Sequence, residues 1–194
     1  MKSLCVFCGS SSGATSAYKE TATLFGKALA KNGIRLVYGG GSVGLMGVVA
    51  TAALQNGGEV IGVIPKFLAD KELALPTVSN LHVVGSMHER KALMSDLSDG
   101  FVALPGGVGT LEELFEVFTW AQLGLHTKPC GVLNVDGYYN SLIEFLKHTV
   151  DQRFMKEQNF QMLLVDENSE RLMEKMNAYQ SPKIEKWLDR QSQT

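Results

Sequence analysis

Two glycine-rich segments carry most of the backbone groups that could do chemistry in this chain. The first is Gly39-Gly-Gly-Ser-Val-Gly-Leu-Met-Gly47 and the second is Pro105-Gly-Gly-Val-Gly-Thr-Leu-Glu-Glu113. Each follows an apolar run typical of a strand and precedes a pattern typical of a helix. That arrangement directs backbone N–H groups and a helix N-terminus toward an anion, usually a phosphate. The residues we expect to contribute to such a site are Gly40, Gly41 and Ser42 in the first loop and Gly106, Gly107, Val108 and Gly109 in the second.

The first glycine segment matches two better-known phosphate motifs only in part. It lacks the Gly-Lys-Ser/Thr ending of a P-loop. Gly39, Gly41 and Gly44 satisfy the dinucleotide spacing G-x-G-x-x-G, but the next strand ends at Pro65 without the acidic residue that would bind a ribose hydroxyl. Dinucleotide binding is therefore disfavoured. Close packing of a helix on a strand is the alternative reading, and it does not explain three consecutive glycines.

The second glycine segment ends in two carboxylates, Glu112 and Glu113. Thr110 and Glu113 have the spacing of a capping box, in which a threonine caps the helix and a glutamate returns to the cap. Acidic residues in a first helical turn also suit the helix dipole. Spacing alone leaves Glu113 equally open to a structural and a catalytic interpretation.

A basic pair, Arg90 and Lys91, follows a second possible capping box formed by Ser86 and Glu89. The pair is predicted to lie near the N-terminus of a helix, where positive charge opposes the helix dipole. We therefore expect these side chains to hold an anionic substrate. The alternative is an ion pair with one of the nearby acidic residues, and the candidates are Glu89, Asp96 and Glu113.

These loops must be positioned by the strands and helices that alternate along the chain. The pattern predicts an α/β fold: a single Rossmann-like doubly wound domain over residues 1–180, with a mostly parallel sheet of about seven strands, helices on both faces and a polar tail at 181–194. The predicted strands are Leu4–Phe7, Ile34–Tyr38, Val60–Ile64, Leu81–Val84, Phe101–Leu104, Gly131–Val135 and Met162–Val165. The predicted helices are Thr15–Lys31, Leu45–Gln55, Met87–Leu97, Leu111–Leu123, Tyr139–Asp151 and Arg171–Ala178. Ligands of such sheets bind beyond the carboxyl ends of the strands, so the glycine clusters should share one edge.

Composition excludes several other classes of protein. The 194 residues are 45% hydrophobic, with a formal net charge of −2, so the chain can bury a core and shows no basic stripe for nucleic acid. No apolar run is long enough to span a membrane. Cys5, Cys8 and Cys130 lie at apolar positions, which predicts buried free thiols and a reducing, cytoplasmic location. The four histidines lack metal-ligand spacing, so no metal is expected.

Taken together, the segments resemble the Lonely Guy family of cytokinin riboside 5'-monophosphate phosphoribohydrolases, often labelled lysine decarboxylases. The resemblance rests on both glycine segments and on Met87-His-Glu-Arg-Lys91. It continues through Thr119-Trp-Ala-Gln-Leu-Gly124 and Leu133-Asn-Val-Asp-Gly-Tyr-Tyr-Asn-Ser-Leu142.

The resemblance implies hydrolysis of the N-glycosidic bond of an adenine-type nucleoside 5'-monophosphate, giving free base and ribose 5-phosphate. It implies a homodimer or higher homo-oligomer without metal or organic cofactor. Arg90 and Glu113 match the family's catalytic pair. The residues that match its substrate-contacting positions are Glu72, Lys91, Gly107, Val108, Gly109, Thr110, Leu111, Glu112 and Thr119. The loop around Glu72 departs from the plant pattern of the family.

Two other functions compete with this one. A nucleotide-binding module of the same fold would bind the ligand without releasing base, although a pure phosphate binder needs no carboxylate at Glu113. A pyridoxal-phosphate-dependent decarboxylase would need a Schiff-base lysine and a carboxylate for the pyridinium nitrogen, and no lysine stands out in that setting.

Overall fold

Seven short apolar segments pair side by side in one sheet. In chain order they are β1 (Ser3–Phe7), β2 (Arg35–Tyr38), β3 (Val60–Pro65), β4 (Asn80–Val84), β5 (Phe101–Ala103), β6 (Cys130–Leu133) and β7 (Leu163–Asp166). Their spatial order is β4-β3-β2-β1-β5-β6-β7, and every neighbouring pair is parallel. The computed structural model describes residues 1–71, 75, 78 and 80–182. The Rossmann-like prediction is confirmed, and the sheet is parallel throughout rather than mostly so.

Helices cover both faces of the sheet. They are α1 (Ser16–Lys31), α2 (Gly44–Gln55), α3 (Lys66–Ala69), α4 (Met87–Asp96), α5 (Val108–Gln122), α6 (Asn140–Asp151), α7 (Glu157–Phe160) and α8 (Ser169–Ala178). The first core lies under α1, α2 and α8, and the second lies under α4, α5 and α6. Sequence analysis missed α3 and α7 because a single four-residue turn is too short to show a 3.6-residue period.

The two cysteines near the N-terminus lie on opposite faces of the sheet. Cys8 packs in the first core and Cys5 in the second, as expected for strand residues an odd number of positions apart. Both are buried free thiols, and so is Cys130, whose pKa burial raises to about 12. The prediction of buried free thiols is confirmed.

The connection order creates a crevice at the carboxyl ends of β1 and β5. The chain builds the sheet outward from β1 to β4 and then returns to add β5 on the other side of β1. The loops leaving β1 and β5 therefore lead to helices on opposite faces. The N–H of Gly9 donates to the carbonyl of Pro105 at 3.0 Å, and the N–H of Leu45 donates to the carbonyl of Gly9 at 2.9 Å. The glycine clusters share one edge, as predicted.

One of the two predicted capping boxes is correct and the other is wrong. Ser86 caps α4 by accepting the N–H of Glu89 at 3.1 Å, and the Glu89 carboxylate accepts the N–H of Gly85 at 2.7 Å. In α5, however, Gly107 is the N-cap and no side chain caps it. The helix begins three residues earlier than predicted, since Val108, Gly109 and Thr110 already take helical conformations. Thr110 is therefore buried within the first turn, and Glu113 has no capping role.

Two predictions fall wholly or largely on residues that are not described. Glu72 lies outside the described residues, and so does the predicted tail from residue 183 onward. Over the described ranges, no helix combines the length and apolar character that crossing a membrane requires.

Candidate active site

A buried ion pair between Arg90 and Glu113 joins α4 to α5. Arg90 Nη1 lies 2.9 Å from Glu113 Oε1, and the two side chains are only 10% and 12% exposed. Arg90 Nε also donates to the carbonyl oxygen of Val63 in β3, at 3.2 Å. The guanidinium is thus held by a carboxylate on one side and by the sheet on the other. One of the ion pairs weighed from the sequence is therefore formed.

The backbone of Gly39 makes room for the Arg90 guanidinium. A Cβ atom at this position would overlap Arg90 Nη2. Gly39 directly follows β2, so the absence of a side chain there lets Arg90 lie across the ends of β2 and β3. Sequence analysis included Gly39 in the glycine run but not among the site residues. The run of three consecutive glycines, unexplained by helix packing, was the available signal.

The surroundings of Glu113 disfavour its ionised form. Burial raises the pKa of Glu113 above the usual glutamate value, the positive charge of Arg90 opposes that effect, and the nearby Glu112 adds to it. A buried carboxylate paired on one side only can stabilise positive charge strongly, because few water molecules compete. The site can therefore supply negative charge when Glu113 is ionised, and the raised pKa makes the carboxylate a better proton acceptor than an exposed glutamate.

Lys91 forms two further ion pairs between the same two helices, α4 and α5. Its Nζ lies 2.7 Å from Glu112 Oε1 and 2.9 Å from Glu116 Oε1, and its side chain is 13% exposed. The hydrogen bond to Glu112 is the main cause that raises the pKa of Lys91. Sequence analysis missed Glu116, although it lies one turn after Glu112 on α5 and so shares its face.

Negative charge exceeds positive charge in this group of ion pairs. The α4–α5 contact contains two cations, Arg90 and Lys91, against three carboxylates, Glu112, Glu113 and Glu116. Such a cluster has a formal charge of −1 and favours a cationic centre over a dianionic phosphate.

Donors for a phosphate lie at the start of α5 instead. The N–H groups of Val108, Gly109 and Thr110 occupy the first helical turn, where no intrahelical acceptor is available. A Cβ atom at Gly107 or Gly109 would meet no atom within 4 Å, so the space above the loop is open. Leu111, by contrast, packs against the second core. The first turn of α5 therefore offers backbone donors and room for an anion.

A cavity of about 270 Å³ lies at the crevice between the β1 and β5 loops. Its walls are Gly9, Ser10, Ser11, Gly13, Tyr18, Leu45, Pro105, Gly106, Gly107 and Tyr138. Among the described residues, neither Arg90 nor Glu113 lines it. Gly107 borders the cavity and also begins α5, so it connects the cavity with the helix that carries Glu113.

The other predicted site residues among those described do not line the cavity. Gly40 has a left-handed backbone and packs against Ile64 and Leu81, which favours the packing interpretation of this loop. Gly41 is buried and Ser42 half-buried, and neither belongs to the cavity walls. Thr119 is exposed on α5, on the helical stripe of Glu112 and Glu116.

In the described part of the chain, no group of three or more His, Cys, Asp or Glu side chains could hold a metal ion.

Known protein sequences resemble this chain over most of its length. A family model described as "Possible lysine decarboxylase" matches residues 46–176. A probable cytokinin riboside 5'-monophosphate phosphoribohydrolase of Oryza sativa subsp. japonica is 51% identical, over 94% of this chain and 73% of that protein. A cytokinin riboside 5'-monophosphate phosphoribohydrolase of Arabidopsis thaliana is 48% identical, over 98% of this chain and 89% of that protein.

Solved structures of the same fold are more distant in sequence. A molybdenum cofactor binding protein from Rippkaea orientalis matches with a TM-score of 0.69 and 22% identity, over 92% of this chain and 97% of that one. The molybdenum cofactor carrier protein from Chlamydomonas reinhardtii gives 0.68 and 20%, over 91% and 98%. Identity at this level supports the shared α/β fold alone.

Proposed function

The chain belongs to the Lonely Guy family of cytokinin riboside 5'-monophosphate phosphoribohydrolases, and on that premise we propose how its residues act. It is a hydrolase that cleaves a nucleoside 5'-monophosphate to free base and ribose 5-phosphate. We propose adenine-type nucleotides as the substrate class, covering AMP and cytokinin riboside monophosphates. The observation that carries the proposal is the buried Arg90–Glu113 pair, in which Glu113 lies on the helix that starts at the glycine loop.

In this proposal the substrate phosphate binds at the start of α5. The N–H groups of Gly107, Val108, Gly109 and Thr110 and the helix dipole attract an anion there. The phosphate then lies away from the carboxylates of the α4–α5 contact. Holding the phosphate fixes the position of the ribose, and such positioning supplies a large part of an enzyme's rate acceleration.

Glu113 acts on the sugar. Cleavage of a glycosidic bond passes through an oxocarbenium-like transition state with positive charge on the ribose. The buried Glu113 carboxylate stabilises that charge and orients or deprotonates the attacking water. Arg90 opposes the effect of burial on this carboxylate and directs it through the 2.9 Å contact, while Arg90 Nε holds the guanidinium against the sheet.

Lysine decarboxylation is the activity named by the family model, and the state of Lys91 argues against it. A Schiff-base lysine must lose its proton to act as a nucleophile. Lys91 is paired with two carboxylates, and its pKa is raised, so the ammonium form is favoured. We expect the purified protein to show no absorbance band of bound pyridoxal phosphate.

We further propose a homodimer or higher homo-oligomer in a reducing, cytoplasmic compartment, with residues 1–180 acting as one unit. Exposed apolar side chains that follow α5, Leu123 and Leu125, support a subunit contact near the site helix. Three buried free thiols are consistent with the compartment. We propose substrate contacts for Glu72, Gly41, Ser42 and Thr119, as the family resemblance and the first glycine loop suggest. For Gly40 the contacts with Ile64 and Leu81 favour packing instead.

A chromatographic assay of base release tests the function. Wild-type protein is incubated with AMP, isopentenyladenosine monophosphate and the matching nucleoside. We expect base from the monophosphates and none from the nucleoside, because the phosphate holds the substrate in place. Base released equally from the nucleoside would contradict the phosphate requirement.

Glu113→Gln distinguishes the hydrolase from a module that only binds nucleotides. The variant keeps the side-chain volume and a hydrogen-bond acceptor for Arg90 but removes the negative charge. We expect base release to fall by about 100-fold or more, the scale of a lost general base, while calorimetry shows that AMP still binds. A variant that retains turnover would exclude Glu113 from catalysis, and a wild-type protein that binds AMP without releasing base would establish the binding module.

A further inference from the structure

The turn that follows β6 holds the β5–α5 loop through two tyrosine hydroxyls. Tyr138 Oη donates to the carbonyl oxygen of Gly106 at 2.6 Å. Tyr139 Oη donates to the carbonyl oxygen of Leu104 at 2.7 Å. Both acceptors lie on the segment that leads from β5 to the first turn of α5. The two tyrosines therefore contact the backbone that leads into the proposed phosphate site.

The turn that presents these tyrosines is closely constrained. Asp136 and Gly137 both have left-handed backbones, with φ values of 50° and 73°. The side-chain oxygen of Asn134 accepts the buried N–H of Tyr139 at 2.7 Å. At a non-glycine residue such as Asp136, this conformation persists only where surrounding contacts maintain it. Tyr138 is thus held at a defined position relative to β6.

Two other tyrosine rings pack against the ring of Tyr138. Its ring meets Tyr139 edge-on at 4.9 Å and Tyr18 edge-on at 5.6 Å between centroids. Tyr18, on α1, also covers Gly13 in the β1 loop. Tyr138 consequently links the two loops that form the cavity, and both Tyr18 and Tyr138 line that cavity.

The two hydroxyls act on peptide bonds of different kinds. In a planar trans peptide the C=O and the following N–H point in opposite directions. Fixing the carbonyl of Gly106 therefore fixes the N–H of Gly107 on the side away from Tyr138. The carbonyl of Leu104 is followed by Pro105, which has no N–H. Tyr139 can stabilise the loop but cannot orient a donor through this bond.

We propose that Tyr138 is a positioning residue for phosphate recognition, an inference that rests on the proposed hydrolase function. Its hydroxyl holds the Gly106–Gly107 peptide so that the Gly107 N–H faces the 5'-phosphate. The same hydrogen bond keeps the start of α5 in a fixed position relative to the cavity. Tyr138 acts through the backbone and needs no contact with the base.

Adjacent tyrosine-to-phenylalanine changes form a matched pair for the test. In Tyr138→Phe the Gly106 carbonyl loses its donor and the Gly107 N–H loses its fixed direction. We expect KM for AMP to rise about three- to tenfold, less than the roughly 10- to 100-fold of a complete hydrogen bond to an anion, because the Gly107 N–H is misdirected and not removed. We expect kcat to stay within about twofold of wild type. The inhibition constant of ribose 5-phosphate should rise by the same factor, while that of adenine stays unchanged.

Tyr139→Phe is the control. It removes a buried hydrogen bond, so we expect the midpoint of thermal unfolding to fall by about 2–6 °C. KM for AMP and the ribose 5-phosphate constant should stay at their wild-type values, because no N–H donor follows Leu104.

Three outcomes would overturn the inference: an unchanged KM in Tyr138→Phe, an equal rise in KM in Tyr139→Phe, or a parallel rise in the adenine constant. Calorimetric binding of ribose 5-phosphate to wild-type and Tyr138→Phe protein separates this inference from the proposed function. A wild-type protein that binds ribose 5-phosphate but releases no base refutes hydrolysis, and the ratio of the two dissociation constants still decides the role of Tyr138.

Discussion

At the scale of single residues, the site depends on how Arg90 and Glu113 are held. Each is buried, each needs the other for charge compensation, and Arg90 has a further hydrogen bond to Val63. Removing one partner leaves a buried charge unpaired, which is costly. The carboxylate consequently has a defined position and a raised pKa before substrate arrives.

Gly39→Ala tests the room that the guanidinium needs. A methyl group at this position overlaps Arg90 Nη2, so the guanidinium must shift from the position in which it contacts Glu113. A displacement of about 1 Å at a catalytic group can cost roughly 100-fold in rate. We expect kcat/KM to fall by about that factor while circular dichroism shows a retained fold.

The control for this prediction is Gly33→Ala, in the turn after α1. This glycine has open space around it but a left-handed backbone. The change should therefore lower stability, by about 1 kcal/mol, and leave kcat/KM unchanged. Equal losses of activity in both variants would mean that Gly39 has no special relation to Arg90.

The pH dependence of kcat/KM tests the charges around Glu113. Because the ionised carboxylate is the active form in this mechanism, the rate falls as pH drops through its raised pKa. Glu112→Gln removes a like charge and should move this acid limb to lower pH. Lys91→Gln removes a cation and should move it to higher pH. Shifts in the same direction, or none in either variant, would contradict the assignment of the limb to Glu113.

At the scale of elements, ion pairs tie helices to the sheet and to one another. The Arg90 and Lys91 contacts connect α4 with α5, and Asp166 connects the end of β7 with α8. The buried Asp166 carboxylate lies 2.9 Å from Arg171 Nη2 and 2.8 Å from Lys175 Nζ. Burial tends to raise its pKa, but these hydrogen bonds and that of the Asn168 N–H lower it well below the usual aspartate value.

Asp166→Asn should lower the free energy of unfolding by about 2 kcal/mol at pH 7, the scale of hydrogen bonds to a charged group. A depressed folded-state pKa contributes stability that is full above the unfolded value of about 3.9 and is lost as pH falls through the folded value. The difference between wild type and variant should therefore be constant from pH 5 to 7 and narrow below about pH 4. Urea unfolding at each pH measures it.

Asp70→Asn is the matched control, since Asp70 pairs with Lys66 on the surface with both side chains more than half exposed. Exposed pairs of this kind contribute little, so we expect no measurable change. An Asp166 variant as stable as the Asp70 variant would show that the β7–α8 tie is not a stabilising contact.

Element boundaries show what local patterns predict and what they miss. Ser86 and Glu89 were identified as a capping box because a cap depends on neighbours within one turn, and that box is present. Thr110 and Glu113 have the same spacing, but α5 begins at Val108. The strand before Gly107, β5, ends at Ala103, although the apolar run continues to Leu104. The spacing of residues along the chain does not indicate where strand pairing stops.

At the scale of the whole molecule, the return of the chain to β1 creates the site. Loops far apart in sequence meet because β5 is added beside β1 after β4 has been completed. The alternation of strands and helices predicted that all glycine loops share an edge. Which loops border one cavity depends on the strand order, which the alternation alone does not specify.

The whole molecule is predicted to assemble into a homodimer or higher homo-oligomer. We expect light scattering after size-exclusion chromatography to give at least twice the chain mass of 21.1 kDa. Leu123→Asp, at an exposed apolar position next to α5, should shift the protein toward a monomer, because a charge in an apolar contact is costly. Glu20→Ala, on α1, provides a remote surface control. A wild-type chain of monomer mass would contradict the proposed assembly.

By itself, the sequence determined the order of strands and helices, the glycine loops and the candidacy of Arg90 and Glu113. These features depend on residue type and on spacing within a few turns, which the printed chain contains directly. Only the tertiary structure decided that Arg90 reaches Glu113, that Gly39 makes room for it and that Tyr138 holds Gly106. These contacts join separate elements, and their distances are set by how helices pack on a sheet whose strand order departs from the order of the chain.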